Sequence, residues 1–258
     1  MKLAVTGKGG VGKTTVVAGL AKFYAQQGFK VLAIDADPAC NLGLALGFPR
    51  DQRLTPIVEM KELIEERTEA KPGSMGGFFK LNPRVDDLPD KFSLEKEGIR
   101  LMVMGTVQKG GGGCVCPENV MVRTLVTHLL LGRKEIVILD MEAGVEHLGR
   151  ATARAVNKLI VVVEPGRRSV EVAQKIKQLA ADIGLKNLGW IGNKVRDETD
   201  REFLLKNLPE IPCLGFISHS PQIIEADLTS LPPFTNNPRF MEEIKEIGQK
   251  IGYQEAEK

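Results

Sequence analysis

Short apolar runs built mainly from Val, Ile and Leu recur along the chain, and each one is bounded by turn residues. Runs without polar alternation are typical of strands that are buried on both faces of a sheet. We therefore predict strands at Leu3–Thr6, Val31–Asp35, Ile99–Met104, Ile136–Asp140, Leu159–Val163, Leu188–Gly192 and Cys213–Ile217.

Between these runs, apolar residues recur at the spacing of a helix face, which predicts helices over Thr14–Gln27, Asn119–Leu131 and Ser169–Ile183. Strands that alternate with helices indicate βαβ units. The predicted fold class is therefore α/β. We expect one domain over residues 1–258, a single doubly wound, mostly parallel sheet of about seven strands flanked by helices.

One stretch, Arg50–Glu97, departs from this pattern because it is charged and interrupted by several Pro and Gly residues. We predict a helix over Ile57–Glu66 and a surface excursion for the remainder of residues 50–97. Two interpretations stay open for it: a tolerated loop insertion, and a lid or partner-docking element.

Composition narrows the class of protein. A chain of 258 residues with 43% hydrophobic and 26% charged residues suits a globular protein with a real core. Its net charge of +2 offers no positive field of the size that nucleic-acid binding needs. We find neither a secretory signal nor an apolar stretch of about 18 residues. We therefore expect a cytoplasmic protein with reduced cysteines and with no nucleic-acid or membrane partner.

The first predicted strand leads into a glycine-rich loop, where Gly7 to Thr14 matches the pattern G-x-x-x-x-G-K-[ST]. In such a loop, backbone N–H groups and the N-terminus of the next helix hold phosphates. Lys13 would bridge the β- and γ-phosphates of a nucleotide, and the Thr14 hydroxyl would hold Mg²⁺. The expected nucleotide-binding residues of the loop are Gly7, Lys8, Gly9, Gly10, Val11, Gly12, Lys13, Thr14 and Thr15.

Lys8 is the unusual feature of this loop, because Lys13 already serves the phosphates of its own chain. One interpretation is that Lys8 reaches a phosphate of a neighbouring subunit, as an arginine finger does; the other is a solvated surface lysine. The string Lys8–Thr15 resembles the deviant Walker A motif of the MinD/ParA and nitrogenase iron-protein ATPases. This resemblance implies a P-loop NTPase that binds ATP or ADP, and a homodimer in which Lys8 crosses the interface.

Three carboxylates lie at predicted strand ends, where α/β sheets bind ligands. Asp35 and Asp37 are two residues apart on an extended segment and therefore face the same way. Asp140 ends an apolar strand of the Walker B form and would reach Mg²⁺. The resemblance implies that Asp37 orients the attacking water, acting in catalysis with Lys8 and Lys13, and that Asp35 lies near Mg²⁺. Capping of the next helix is the alternative for Asp35.

Two further residues are candidates for nucleotide contacts. The segment Met141–His147 resembles the second switch of these ATPases, in which Gly144 would donate its N–H to the γ-phosphate. Glu142 in that segment is a second candidate for the base. Asn193 follows the sixth apolar run, and its amide could read adenine. The resemblance favours ATP over GTP through this residue, and an ordinary turn asparagine is the alternative.

The segment Gly110–Glu118 combines four glycines with the sequence Cys114-Val115-Cys116. On an extended segment this spacing places both sulfurs on one side, and a disulfide within it would be strained. A twofold dimer would supply four thiolates, a ligand set that suits zinc or nickel. We therefore expect a metal site between subunits with Cys114 and Cys116 as ligands. Two buried apolar thiols are the alternative.

The loop, the second switch and the cysteine pair together resemble the carbon monoxide dehydrogenase accessory ATPases. This resemblance implies a Mg²⁺-dependent ATPase, slow without its partner, that loads nickel into carbon monoxide dehydrogenase or acetyl-CoA synthase. An ATP-driven iron–sulfur electron-transfer protein is one alternative, although the cluster cysteines of the nitrogenase iron protein are far apart in sequence. A positioning ATPase is another, since residues 237–258 form an amphipathic stretch, which we expect to pack as a terminal helix.

Overall fold

An eight-stranded sheet forms the centre of the computed structural model, which describes residues 1–52, 54–71, 80–105, 117–132, 135–144 and 156–252. The strands in these residues are β1 (Lys2–Gly7), β2 (Val31–Ala36), β3 (Ser93–Lys96), β4 (Ile99–Val103), β5 (Ile136–Met141), β6 (Lys158–Val163), β7 (Leu188–Val195) and β8 (Cys213–Ser218).

The strands lie in the order β3-β4-β2-β5-β1-β6-β7-β8, and each neighbouring pair is parallel except β3 with β4. This confirms the predicted mostly parallel, doubly wound sheet. The sequence predicts about seven strands and misses β3. The reason is physical: β3 is a short edge strand of sequence Ser-Leu-Glu-Lys, without the apolar run that a doubly buried strand carries.

Helices cover both faces of the sheet. In the described residues they are α1 (Lys13–Gln26), α2 (Leu42–Ala45), α3 (Lys61–Thr68), α4 (Leu88–Lys91), α5 (Pro117–Gly132), α6 (Arg167–Asp182), α7 (Glu198–Asn207), α8 (Pro221–Leu228) and α9 (Pro238–Ile251). The helix predicted over Ile57–Glu66 is divided into a 3-10 turn at Ile57–Glu59 and α3, because Met60 between them has the non-helical ψ of 74°.

The described parts of residues 50–97 pack against the rest of the domain. Outside the predicted helix, they contribute the edge strand β3 and the fully buried Leu88. Within the predicted helix, Ile57 and Ile64 are 0% exposed. Arg67 adds two hydrogen bonds to the Asp87 carboxylate, at 2.8 and 3.1 Å. These parts of the segment are therefore integral to the sheet and to its core.

Side chains alternate between two cores because successive residues of a strand face opposite sides. On β2, Leu32 and Ile34 pack in the core beneath α3, α5 and α6. Val31 and Ala33 pack in the core beneath α1 and α9. Both faces are buried, which explains why the strands read as continuous apolar runs.

The C-terminal helix α9 packs against α1. Its residues Phe240, Ile244 and Ile247 are at most 1% exposed. A Cβ at Gly19 of α1 would lie 2.8 Å from atoms of both Phe240 and Ile244, so the two helices are in close contact. This confirms the expected packed terminal helix over Pro238–Ile251. In the parts of the chain that the structure describes, we find no helix long and apolar enough to cross a membrane.

Candidate functional site

The residues that the sequence singles out converge at one edge of the sheet, formed by the carboxyl ends of its parallel strands. β1 ends at Gly7 and continues into the glycine loop, β2 ends at Ala36 and β5 ends at Met141. In the pairing of β2 with β5, Asp35 lies directly opposite Asp140. Parallel topology therefore brings the phosphate loop and the carboxylates together.

Two side chains of β7 donate hydrogen bonds to the backbone of the glycine loop. The Asn193 side chain donates from Nδ2 to the Val11 carbonyl at 2.7 Å, and the Lys194 Nζ donates to the Gly10 carbonyl at 2.6 Å. Gly12, with φ of 90°, caps α1 in a left-handed conformation. A Cβ at Gly12 would lie 2.3 Å from Asn193 Nδ2, so only glycine fits this close approach.

Asn193 is 4% exposed, and the contact with Val11 uses one of its two amide hydrogens. In this structure the residue supports the phosphate loop. Its role in reading the adenine ring stays a prediction. The neighbouring Lys194 was not singled out from the sequence, because its contact with Gly10 joins segments 184 residues apart.

Thr14 and Asp140 form the part of the site that best fits a magnesium ion. The Thr14 hydroxyl donates to Asp140 Oδ2 at 2.7 Å. The other carboxylate oxygen, Asp140 Oδ1, is buried and has no hydrogen-bond partner among the described residues. An orphaned buried oxygen is costly unless a ligand satisfies it, and a carboxylate oxygen beside a hydroxyl is a donor set that Mg²⁺ prefers.

Burial raises the pKa of Asp140 to about 7, with a further contribution from the neighbouring negative charge of Asp35. The hydrogen bond from Thr14 and the positive charge of Lys13 act in the opposite direction. Asp140 is 0% exposed, so a cation beside it would stabilise its ionised form. A bound Mg²⁺ would be such a cation.

Asp35 is also 0% exposed, but both of its oxygens are occupied. Oδ1 accepts from the Asp37 N–H at 3.1 Å, and Oδ2 accepts from the Leu42 N–H at 2.9 Å, at the start of α2. The second contact satisfies the first N–H of α2, which is the kind of contact that the capping alternative expects, although Asn41 is the N-cap residue itself. The place of Asp35 near Mg²⁺ stays a prediction. Burial raises the pKa of Asp35 to about 6, although these two hydrogen bonds lower it.

Asp37 lies next to the phosphate loop. Its Oδ2 is 4.0 Å from the Lys13 Nζ, and its Oδ1 accepts from the Ala39 N–H at 2.9 Å. The carboxylate is therefore positioned beside the lysine that would contact the β- and γ-phosphates. Its role in orienting the attacking water stays a prediction.

Lys8 is paired within its own chain. Its Nζ lies 2.9 Å from Glu164 Oε1, while Lys194 approaches Glu164 Oε2 at 3.4 Å. Burial opposes ionisation of Glu164, but the hydrogen bond from Lys8 and the charge of Lys194 outweigh it and lower the pKa of Glu164. Sequence reasoning missed Glu164, whose only signal is its position directly after the apolar run of β6.

Gly144 lies at the beginning of the predicted second switch, with φ of 134°. Its N–H donates to the Thr6 hydroxyl at 3.0 Å. Its donation to a γ-phosphate stays a prediction. Residues 145–155 lie outside the described part of the chain.

The metal site is predicted in the segment 110–118. Residues 110–116 of this segment, which include both Cys114 and Cys116, lie outside the described part of the chain. The described thiols, Cys40 and Cys213, are half-buried and free. Burial raises the pKa of the Cys40 thiol to about 11. Among the described residues we find no group of three or more His, Cys, Asp or Glu side chains that could hold a metal ion.

The raised pKa values of Asp35 and Asp140 predict a specific pH dependence. Between about pH 4 and 7 the folded state binds more protons than the unfolded state, so metal-free stability falls as pH rises through this window. Asp140→Asn cannot ionise and keeps an acceptor for Thr14. We therefore expect the difference in free energy of unfolding between this variant and the wild type to shift by about 1–3 kcal/mol in favour of the variant from pH 4 to pH 8.

Urea unfolding at a series of pH values, without Mg²⁺ or nucleotide, measures this difference. Asp227→Asn, an exposed carboxylate on α8, serves as the control and is expected to follow the wild-type pH profile. Parallel pH profiles for Asp140→Asn and the wild type would show that burial does not raise the pKa of Asp140.

Comparison with known proteins agrees with this geometry. The family model for the CobQ/CobB/MinD/ParA nucleotide binding domain matches residues 2–234. The carbon monoxide dehydrogenase accessory protein CooC of Rhodospirillum rubrum is 47% identical over 240 residues, which cover 92% of this chain and 91% of that protein. An uncharacterised ATP-binding protein of Methanocaldococcus jannaschii is 45% identical over 250 residues, 96% of each chain.

Among solved structures, the MinC:MinD cell division protein complex of Aquifex aeolicus matches with a TM-score of 0.71. The match covers 99% of this chain and 98% of that chain at 19% identity, so it shows a shared fold. Together with the arrangement of the phosphate loop and the carboxylates, the family model and the relatives establish the family. The chain belongs to the CobQ/CobB/MinD/ParA nucleotide-binding family and, within it, to the CooC-type P-loop ATPases.

Proposed function

We propose that this protein is a Mg²⁺-dependent, ATP-hydrolysing nickel chaperone that matures carbon monoxide dehydrogenase or acetyl-CoA synthase. The observation that carries the proposal is the 47% identity to a carbon monoxide dehydrogenase accessory protein over 92% of the chain. The Cys114-Val115-Cys116 sequence supports a role in metal handling. The residues at the carboxyl edge of the sheet support the use of ATP.

Nucleotide binding follows from the loop and the helix behind it. Backbone N–H groups of the loop and the N-terminus of α1 attract the phosphates, and Lys13 adds a positive charge that is only 7% exposed. Mg²⁺, held by Thr14 and Asp140, would neutralise charge on the β- and γ-phosphates. Asp37, 4.0 Å from Lys13, is placed to hold a water molecule on the side of the γ-phosphate.

Lys8 would connect nucleotide binding to dimer formation. It leaves Glu164 and contacts a phosphate of the partner subunit's nucleotide, which exchanges one anionic partner for another of higher charge. ATP, with its additional phosphate, would favour the closed dimer more than ADP does. Hydrolysis would then weaken the interface and return Lys8 to Glu164 of its own chain.

The nickel ion is the cargo of this cycle. Cys114 and Cys116 from two chains would hold it through four thiolates, and zinc would suit the same ligands. The ligand set is complete only in the dimer, so ATP and metal binding are coupled and each should increase the affinity for the other. Because thiols must lose their protons to bind, metal affinity should decrease at low pH.

The pairing of Lys8 with Glu164 predicts the effect of removing that partner. Both side chains are about one quarter to one third exposed, so the ion pair contributes at most about 1 kcal/mol. Glu164→Gln removes the opposite charge, so it should weaken the contact with Lys8 and strengthen Mg²⁺–ATPγS-dependent dimerisation by about two- to fivefold. Sedimentation velocity over a range of protein concentrations measures this change.

Glu210→Gln is the matched control, since Glu210 pairs with Lys177 on the exposed surface of α6. This variant should dimerise as the wild type does. Weaker dimerisation of Glu164→Gln would mean that Glu164 supports the interface instead of competing for Lys8.

The metal-handling part is tested by anaerobic nickel titration in the presence of ADP and then of ATP, with molar mass measured by light scattering on the same samples. We expect one nickel ion per dimer, bound more tightly with ATP, and loss of binding in Cys116→Ser. Cys213→Ser, a half-buried thiol on β8, should bind nickel as the wild type does.

A monomer that binds no nickel with either nucleotide would contradict the proposal and favour a positioning ATPase of the MinD/ParA kind. A brown protein as isolated, with iron and sulfide bound through the same cysteines, would favour the electron-transfer alternative.

A further inference from the structure

Thr6 is a buried residue of β1 that the nucleotide-binding motif does not include. It is 0% exposed and directly precedes Gly7, where the phosphate loop begins. Its hydroxyl does not point toward another part of the loop. It contacts the backbone of the second switch, which follows β5 on the neighbouring strand.

Three backbone atoms of the second switch lie within hydrogen-bond distance of the Thr6 oxygen. The Gly144 N–H donates to it at 3.0 Å. The carbonyl oxygens of Glu142 and Gly144 lie 2.8 and 2.9 Å away, and the single hydroxyl proton can be donated to either one. One side chain therefore fixes the start of the second switch through both a donor and an acceptor.

This contact occupies the N–H group that we predict to donate to a γ-phosphate. A backbone N–H has one hydrogen, so Gly144 cannot donate fully to Thr6 and to a phosphate oxygen at the same time. ADP does not reach the position of the γ-phosphate, so it leaves the contact intact. ATP must compete with the Thr6 hydroxyl.

We propose that Thr6 is a positioning residue that retains the Gly144 N–H until a γ-phosphate displaces it, and that it thereby sets how strongly the protein distinguishes ATP from ADP. The inference rests on the ATP-dependent part of the proposed function. Thr6 is also separated from Lys8 by Gly7 alone, the residue at which β1 ends. The contact with the second switch and the ion pair of Lys8 with Glu164 therefore lie on either side of one residue.

The test compares the affinities of Thr6→Val and the wild type for Mg²⁺–ATPγS and Mg²⁺–ADP by isothermal titration calorimetry. Valine has nearly the shape of threonine but lacks the hydroxyl, so Gly144 loses its competing acceptor. We expect ADP affinity to stay unchanged and ATPγS affinity to increase about two- to tenfold, the range of one net hydrogen bond. All proteins are measured at the same concentration, so that dimerisation contributes equally to each apparent affinity.

Thr6→Ser retains the hydroxyl and should restore the wild-type ratio of the two affinities. Thr68→Val is the matched control, because Thr68 is equally buried and donates to Ile64 within α3, away from the site. It should lower stability without changing the ratio. Urea unfolding of all four proteins reports whether each variant folds.

An unchanged ratio in a folded Thr6→Val protein would overturn the inference, as would a parallel loss of both affinities, which indicates a purely structural role. If Thr6→Val does not fold, Thr6→Ala is measured in its place with the same expected ratio. A wild-type protein that binds neither nucleotide would contradict the proposed function itself, and with it this inference.

Discussion

Two carboxylates, Asp35 and Asp140, lie directly opposite each other on neighbouring parallel strands, and neither exposes any surface. Like charges in a buried location repel, and burial raises the pKa of both groups, to about 6 and about 7. The hydrogen bonds that offset the burial of these two carboxylates are unequal. Asp35 accepts hydrogen bonds from two backbone N–H groups and thereby fixes the segment after β2. Among the described residues, the Asp140 carboxylate accepts one hydrogen bond, from the Thr14 hydroxyl.

This inequality distinguishes the surroundings of the two carboxylates. Asp35 holds the loop that carries Asp37 and the first residue of α2, so the position of Asp37 beside Lys13 depends on it. Asp140 keeps one oxygen without a partner among the described residues, as expected for a group whose partner is a metal ion. Under the proposed function, a bound Mg²⁺ would satisfy this oxygen and offset the cost of burying it.

The two residues that flank Gly7 both make contacts within their own chain. Lys8 contacts Glu164, and Thr6 contacts the backbone of Glu142 and Gly144. Each contact satisfies a group that the proposed reaction would use elsewhere: the lysine at a partner's nucleotide, and the Gly144 N–H at the γ-phosphate. Under the proposed function, ATP would have to replace two intramolecular contacts, and this requirement would couple the dimer interface to the second switch.

Much of the fold could be predicted from the sequence, because strands buried on both faces leave long apolar runs. The short polar strand β3 leaves no such signal, and its pairing with β4 depends on tertiary contacts. In the site, the motif identifies Lys13 and Thr14 because their chemistry requires fixed spacing. Thr6, Glu164 and Lys194 escape prediction, since each acts through contacts with distant segments.

Asn193 is a residue that the sequence does single out, but its contact with the phosphate loop could not be predicted. Its residue type suggests a base contact, while the structure places its amide against the Val11 carbonyl of the phosphate loop. An amide with two donor hydrogens and an acceptor oxygen can make both contacts, and the contact with the loop depends on the packing of β7, which the sequence alone does not show.

The central claim is that ATP hydrolysis by this protein drives delivery of nickel. Its most direct measurement is the activation of nickel-free carbon monoxide dehydrogenase, and in parallel of nickel-free acetyl-CoA synthase, by the nickel-loaded protein. The account predicts activation of one of the two with Mg²⁺–ATP, and little activation with Mg²⁺–ATPγS or with Lys8→Ala. Two results would contradict the claim. One is that the same amount of free nickel activates the enzymes as well as the nickel-loaded protein does, and the other is that activation does not depend on ATP hydrolysis.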